Sequence, residues 1–271
     1  MNELISLLFR DVYASDPAES GFQGESAARY KLARAEFIEQ IARLAAVLQA
    51  PPVLITDRAW NVDSTPVVIT VDDGGVSYFT EVAGLLEERG WRAHCLVTTD
   101  WIGRQGFLQK GHLRDLHARG HIIGSHSVSH PTRFSACNRA QMSREWGESL
   151  RFLQDILGAE VHSGSVPGGY YSREAAETAA EAGITTLFTS EPESHIQYVA
   201  GCRVLGRYAI RRGDGPDYPA RLVAAPSGTR QAAWLKWNSK KILKAALGAG
   251  YPGLAARFAR MEREAGSSLG N

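Results

Sequence analysis

The chain is 271 residues long, 44% hydrophobic and 22% charged, with a formal net charge of +1. That length is short for two domains and ordinary for one α/β barrel, and the apolar content is enough for a large core. Near-neutral charge removes any global electrostatic case for nucleic acid or an anionic membrane, and three cysteines without Cys-x-x-Cys spacing exclude a disulfide framework.

In chain order, Leu4 to Val12 reads as a first buried strand ending in Arg10-Asp11. The first ten residues lack a basic segment, and their apolar run is too short for a secretory leader, so a cytoplasmic location is expected. No apolar run reaches the ~18 residues of a membrane span. A polar loop, Ala14 to Glu25, contains Glu19-Ser20-Gly21-Phe22; Tyr30 to Gln49 then shows helical periodicity, stopped by Pro51-Pro52. The stretch from Val53 to Thr65 is a connector without a clear pattern.

Val67 to Val71 is an unbroken run of high strand propensity, the mark of a strand covered on both faces. It stops at Asp72-Asp73-Gly74-Gly75. Two acids at the C-terminal mouth of a buried parallel strand are costly unless something there uses the charge. A helix cap followed by a turn is the competing explanation. Helices are predicted over Val76–Arg89, Phe107–Ala118 and Arg139–Leu157, with another from the Ser172 cap to Ala182. Strands are predicted over Arg92–Thr98, His121–Ser125, Glu160–Val166, Ile184–Thr189 and Cys202–Ile210. Strand and helix alternate in about seven units with glycine closing the helices, which favours a closed, irregular parallel barrel over an open doubly wound sheet. The barrel is expected over residues 1–229. From residue 230 to 271 a basic helical extension packed on it is expected, with eight Lys or Arg against two acids between Arg230 and Glu264. Such a face is ordinary solvated surface or a peripheral membrane contact.

Six of the eight histidines lie between His94 and His130. In His126-Ser127-Val128-Ser129-His130-Pro131 the proline disfavours a helix, so the pair belongs on a turn at another strand mouth. In a barrel that is the face carrying the Asp72-Asp73 pair. Two imidazoles and one carboxylate form a three-ligand shell for zinc or a similar divalent ion, with a position left for water.

These two motifs, Thr70-Val71-Asp72-Asp73-Gly74 and His126-Ser-x-x-His130-Pro131, resemble those of the NodB-type polysaccharide deacetylases, carbohydrate esterase family 4. The likeness runs over residues 4 to 215, and Arg10-Asp11-Val12, Glu19-Ser20-Gly21-Phe22 and Tyr30-Lys31-Leu32 resemble one subset of the family. The resemblance implies an irregular (β/α)7 barrel with Asp72 as general base and Asp73, His126 and His130 as metal ligands. The third family motif, usually Arg-x-Pro-Tyr-Gly, reads Ser165-Val166-Pro167-Gly168-Gly169-Tyr170-Tyr171 here. Pro167, Gly168, Gly169 and Tyr170 are expected to bind substrate, the glycines through backbone N–H groups and Tyr170 through a stacking ring. Ser165 stands where the arginine belongs, and Arg207 or Arg211 is a candidate replacement. His195 is the late histidine left to act as general acid.

The function implied is metal-dependent removal of the N-acetyl group of an amino sugar or glycan intermediate, with zinc as the expected metal. Hydrolysis of a non-carbohydrate amide and silent glycan binding are the competing readings. No nucleic-acid partner is expected, and the sequence sets no oligomeric state.

Overall fold

The computed structural model describes residues 3–56, 64–224 and 228–247. Its centre is a pair of parallel strands, β1 (Ile5–Phe9) and β4 (Val67–Val71), in register from Ile5↔Val67 to Phe9↔Val71 and buried at every position. Between them the chain makes an excursion. The expected strand from Leu4 to Val12 breaks at Arg10, and Asp11–Tyr13 leaves the barrel as β2 to pair in parallel with β3 (Lys31–Ala33). The helix expected from Tyr30 therefore starts only at Arg34: α1 is a single turn, Glu25–Ala28, and α2 runs Arg34–Val47.

The remaining staves follow in sequence order, each parallel to the last: β5 (His94–Val97), β6 (Ile122–Ser125), β7 (Ser163–Ser165) and β8 (Thr186–Phe188). A π-helical turn, Tyr78–Val82, leads into α3 (Ala83–Glu87); α4 (Lys110–Ala118) and α5 (Arg139–Leu157) follow β5 and β6. A capping box between Asn138 and Gln141 starts α5, and Gly158 ends it in the left-handed conformation. Ser172 caps α6 (Arg173–Glu181) by accepting from Ala175 N. β9 (Gln197–Val199) turns back antiparallel onto β10 (Cys202–Leu205).

Closure comes from one bent segment. β10 pairs with β8, and two residues later β11 (Tyr208–Ala209) pairs with β1 through Leu7↔Tyr208 and Leu8↔Ala209. β10 and β11 are thus two halves of one stave, and counting them together gives the expected seven-stave (β/α)7 barrel, with β9 outside the ring. The bend is at Gly206-Arg207. A Cβ on Gly206 would lie 2.5 Å from the Glu191 carbonyl oxygen and 2.6 Å from that of Glu193, so only glycine allows the strand to cross there.

His94 fastens the connector to the N-terminal end of the barrel. Its Nε2 accepts from Ile55 N at 3.2 Å, which leaves the hydrogen on Nδ1, 3.2 Å from the Ile69 carbonyl oxygen. Burial pushes this imidazole down to about 4, so it is neutral at neutral pH.

After α7 (Tyr218–Val223) the chain divides into two compact units between Arg230 and Gln231. Across that division runs α8 (Gly228–Leu247); the rest of the expected 230–271 extension lies outside the described residues, as does 57–63 of the connector. No helix among the described residues is long and apolar enough to cross a membrane.

Candidate metal centre and its base

The C-terminal ends of β4, β6 and β7 bring together side chains that are distant in sequence. Asp72 and Asp73 leave β4, and Asp73 adopts φ 78°, a conformation that L-residues rarely take but Asp tolerates. That left-handed step sends the two adjacent carboxylates to different partners. His126 follows β6, and the turn carrying His130 has two more such residues, Ser127 at φ 66° and His130 at φ 58°. Non-glycine residues held in this region cluster where a site imposes the geometry.

Asp73 Oδ1 lies 3.3 Å from His126 Nε2 and 3.7 Å from His130 Nε2, and all three atoms are buried without a hydrogen-bond partner. The neighbouring hydroxyl fixes the His126 tautomer. Ser165 Oγ has one hydrogen and donates it to Asp72 Oδ1 at 3.1 Å, so at 2.6 Å from His126 Nδ1 it must accept. Nδ1 also faces the Ser165 carbonyl oxygen at 3.0 Å; it carries the proton, and Nε2 presents a lone pair. Burial and the adjacent His126 push His130 down to about 4, keeping it neutral. Burial alone would raise Asp73, but the Arg10 guanidinium beside it holds it well below the usual carboxylate range. One carboxylate oxygen and two neutral imidazoles, mutually unsatisfied and within 4.8 Å of one another, fit a divalent cation.

Asp72 sits beside this cluster and is held differently. Arg207 Nη1 donates to its Oδ1 at 2.6 Å and Nη2 to its Oδ2 at 2.7 Å, a two-pronged pair with both side chains fully buried. The guanidinium is itself fixed by Thr189 O at 2.7 Å and Thr70 Oγ1 at 3.0 Å. Burial raises the Asp72 carboxyl, but Arg207 outweighs burial and leaves it lowered and ionised. A guanidinium from the closing stave thus pairs with Asp72, while Ser165 links Asp72 to His126. Arg211, the other candidate, lies over the Tyr30 ring at 5.6 Å with its backbone N–H donating to Asp214.

The Pro167–Gly169 turn follows β7 on the same face, packed so closely on the loop after His130 that a Cβ at Gly168 would fall 2.9 Å from Thr132 O. Tyr170 is partly exposed there under Arg133, 5.4 Å from ring to guanidinium. His195 is not brought to the site. It bridges antiparallel to Glu3, ahead of β1, and stands exposed between Glu3 and Glu193. That is the opposite end of the staves, about 16 Å away at the rise of a five-residue strand. Its place after β8 suggested the mouth, but the chain there runs back down the barrel before β9 begins.

Three supporting groups escaped the sequence reading. Glu145, on α5, accepts from Val128 N and Ser129 N at 2.9 Å each and from Ser129 Oγ at 2.6 Å, pinning the His126–His130 turn. Phe22, from the β2–β3 excursion, lies 5.0 Å from the His130 ring beside Trp101 and Phe107. Arg10 donates to Asp73 Oδ2 at 3.1 Å. Asp11 next to it accepts from Ser20 Oγ and Ser77 Oγ, and a Cβ on Gly21 or Gly75 would overlap its carboxylate. The Arg10-Asp11 and Ser20-Gly21 motifs thus interlock.

The polysaccharide deacetylase family model matches residues 60–187. YxkH of Bacillus subtilis, assigned by name to the polysaccharide deacetylases, is 25% identical over 170 residues, 63% of this chain and 56% of that protein. The chain thus spans little more than half the length of that relative. Among solved structures, the Streptococcus pyogenes deacetylase PplD in complex with acetate superposes with a TM-score of 0.68 at 18% identity, covering 82% of this chain and 98% of that one. IcaB from Ammonifex degensii gives 0.66 at 17%, covering 83% and 98%. At these identities the structures show a shared fold. The segment matched by the family model is a little under half of the chain and contains Asp72, Asp73, His126 and His130.

Proposed function

We propose that this protein is a metal-dependent N-deacetylase that hydrolyses the acetamide of an amino sugar in a glycan or glycan intermediate. One observation carries the reading: three buried acceptors, Asp73 Oδ1, His126 Nε2 and His130 Nε2, face one another with no hydrogen to share. Each left so costs ~1–3 kcal/mol, a cost that a cation among them removes. Asp73, His126 and His130 would hold the ion. Zinc suits two imidazoles and a carboxylate, and when bound it polarises the acetyl carbonyl and acidifies a water.

The protein's own groups divide the remaining work. Asp72 Oδ1 accepts from both Arg207 and Ser165, whereas Oδ2 accepts from Arg207 alone and faces His126 Nε2 at 3.9 Å, so Oδ2 would be the oxygen that takes the water's proton. Arg207 keeps that carboxylate ionised and fixes its plane. Backbone N–H groups from Gly168 to Tyr170 would donate to the oxyanion, and each such donor is worth ~3 kcal/mol of barrier. With His195 at the far end, Asp72 is the group that returns the proton to the leaving amine. The partly exposed Tyr170 ring offers a face to a sugar.

Elemental analysis with an acetate-release assay on N-acetylglucosamine oligosaccharides tests the reading. Bound zinc is expected, with turnover lost on chelation and restored by metal. Full turnover by metal-free protein would overturn it. The non-carbohydrate amide reading is favoured by one observation, that no histidine beyond His126 and His130 bonds to the cluster among the described residues. A panel with cyclic amides beside the oligosaccharides separates the two.

A further inference from the structure

Arg10 and the cation proposed above would share one carboxylate. Arg10 Nη1 donates to Asp73 Oδ2 at 3.1 Å, and the side chains of the pair are 15% and 2% exposed. The guanidinium is held from behind by Tyr30, whose ring centroid lies 4.4 Å from its central carbon. Tyr30 comes from the excursion between β2 and β3, so that insert secures the arginine. Only Oδ1 of Asp73 is left facing the two imidazoles.

We propose that Arg10 is a positioning residue that opposes the metal: it neutralises Asp73 in the metal-free protein, limits it to one-oxygen ligation, and lowers the affinity for the divalent ion. This rests on the metal-centre reading. Two cations on one buried carboxylate repel each other through a medium that screens poorly. The antagonism is reciprocal, so a bound ion would weaken the Arg10–Asp73 pair by as much as that pair weakens the ion. A metal centre weakened in this way exchanges its ion faster, and each bound ion keeps more of its own charge for the substrate carbonyl.

The test compares wild type, Arg10→Gln, Arg10→Lys and Tyr30→Leu. Zinc dissociation constants are read against a chromophoric chelator, and chelator-driven release is timed from the loaded protein. Arg10→Gln is expected to bind zinc at least tenfold more tightly and release it correspondingly more slowly, with a larger zinc-induced rise in Tm. Arg10→Lys should stay near wild type, and Tyr30→Leu, which frees the guanidinium but keeps its charge, should fall between. An arginine that merely supports the fold would give the opposite sign, because its loss would loosen the ligands. Unchanged or weaker zinc binding in Arg10→Gln overturns the inference. Release from loaded protein still decides the matter if metal-free Arg10→Gln does not fold. Zinc bound equally by all variants removes only the role of Arg10, whereas zinc bound by none removes the metal centre itself.

Discussion

Asp72 and Asp73 are adjacent in sequence and chemically opposite in role, and a single left-handed residue separates them. Each has its own arginine: Arg207 grips both oxygens of Asp72, and Arg10 takes one oxygen of Asp73. Arg207→Lys keeps the charge but loses the fork, so kcat should fall ~10–100-fold, the worth of one charged hydrogen bond, with zinc content unchanged. Steady-state kinetics beside elemental analysis checks this. Asp73→Ala should instead abolish zinc retention and turnover together. The convergence of Asp73, His126 and His130 was legible because the two motifs are local in sequence. The source of the guanidinium was narrowed only to Arg207 or Arg211, since Arg207 lies 135 residues from Asp72 and only closure of the ring brings them together. Ser165 showed where an arginine was missing, and nothing local showed what filled the gap. His195 failed as a candidate because residue type and order cannot tell a loop at the mouth from one returning down the wall.

Among the elements, the turn from His126 to His130 depends on α5. Glu145 gathers two backbone N–H groups and a hydroxyl, so that a helix otherwise packed against α6 sets the spacing of the two imidazoles. Glu145→Gln should weaken zinc binding ~10-fold, in the range usual for groups supporting metal ligands, while the far-ultraviolet dichroism stays the same. At the other end of β5, His94 is held neutral between Ile55 and Ile69. An imidazole pushed down to about 4 is unprotonated when folded over a range in which the unfolded chain, near 6.5, takes up a proton. Its stabilisation is therefore complete above 6.5 and drains away as pH falls toward 4, on the order of 3 kcal/mol in all. Denaturant titrations from pH 7 to 4 should show this slope, and His94→Leu should flatten it. Helix and strand positions were mostly legible from periodicity and glycine stops. The departure at Arg10 was not, because Asp11-Val12-Tyr13 continues the strand pattern and only its pairing with Lys31-Leu32-Ala33 removes it from the barrel.

For the whole molecule, seven staves close through one bent strand, and the bend exists because residue 206 has no side chain. Gly206→Ala would press a methyl against two carbonyl oxygens at a cost of ~1–3 kcal/mol, lowering Tm by several degrees. Turnover should suffer more than stability, because Arg207 is the next residue. Differential scanning calorimetry and acetate release on the same preparation measure both.

That route has a consequence for how lesions in this protein present themselves. The proposed ion-holding side chains and their neighbours lie between Arg10 and His130, whereas Arg207, the partner of the proposed proton acceptor, arrives only in the final lap around the ring. On the proposed function, damage beyond position 200 would yield molecules that retain their ion in full and hydrolyse nothing. A colour or mass signature of occupancy would pass such molecules as sound, so occupancy and competence need separate assays.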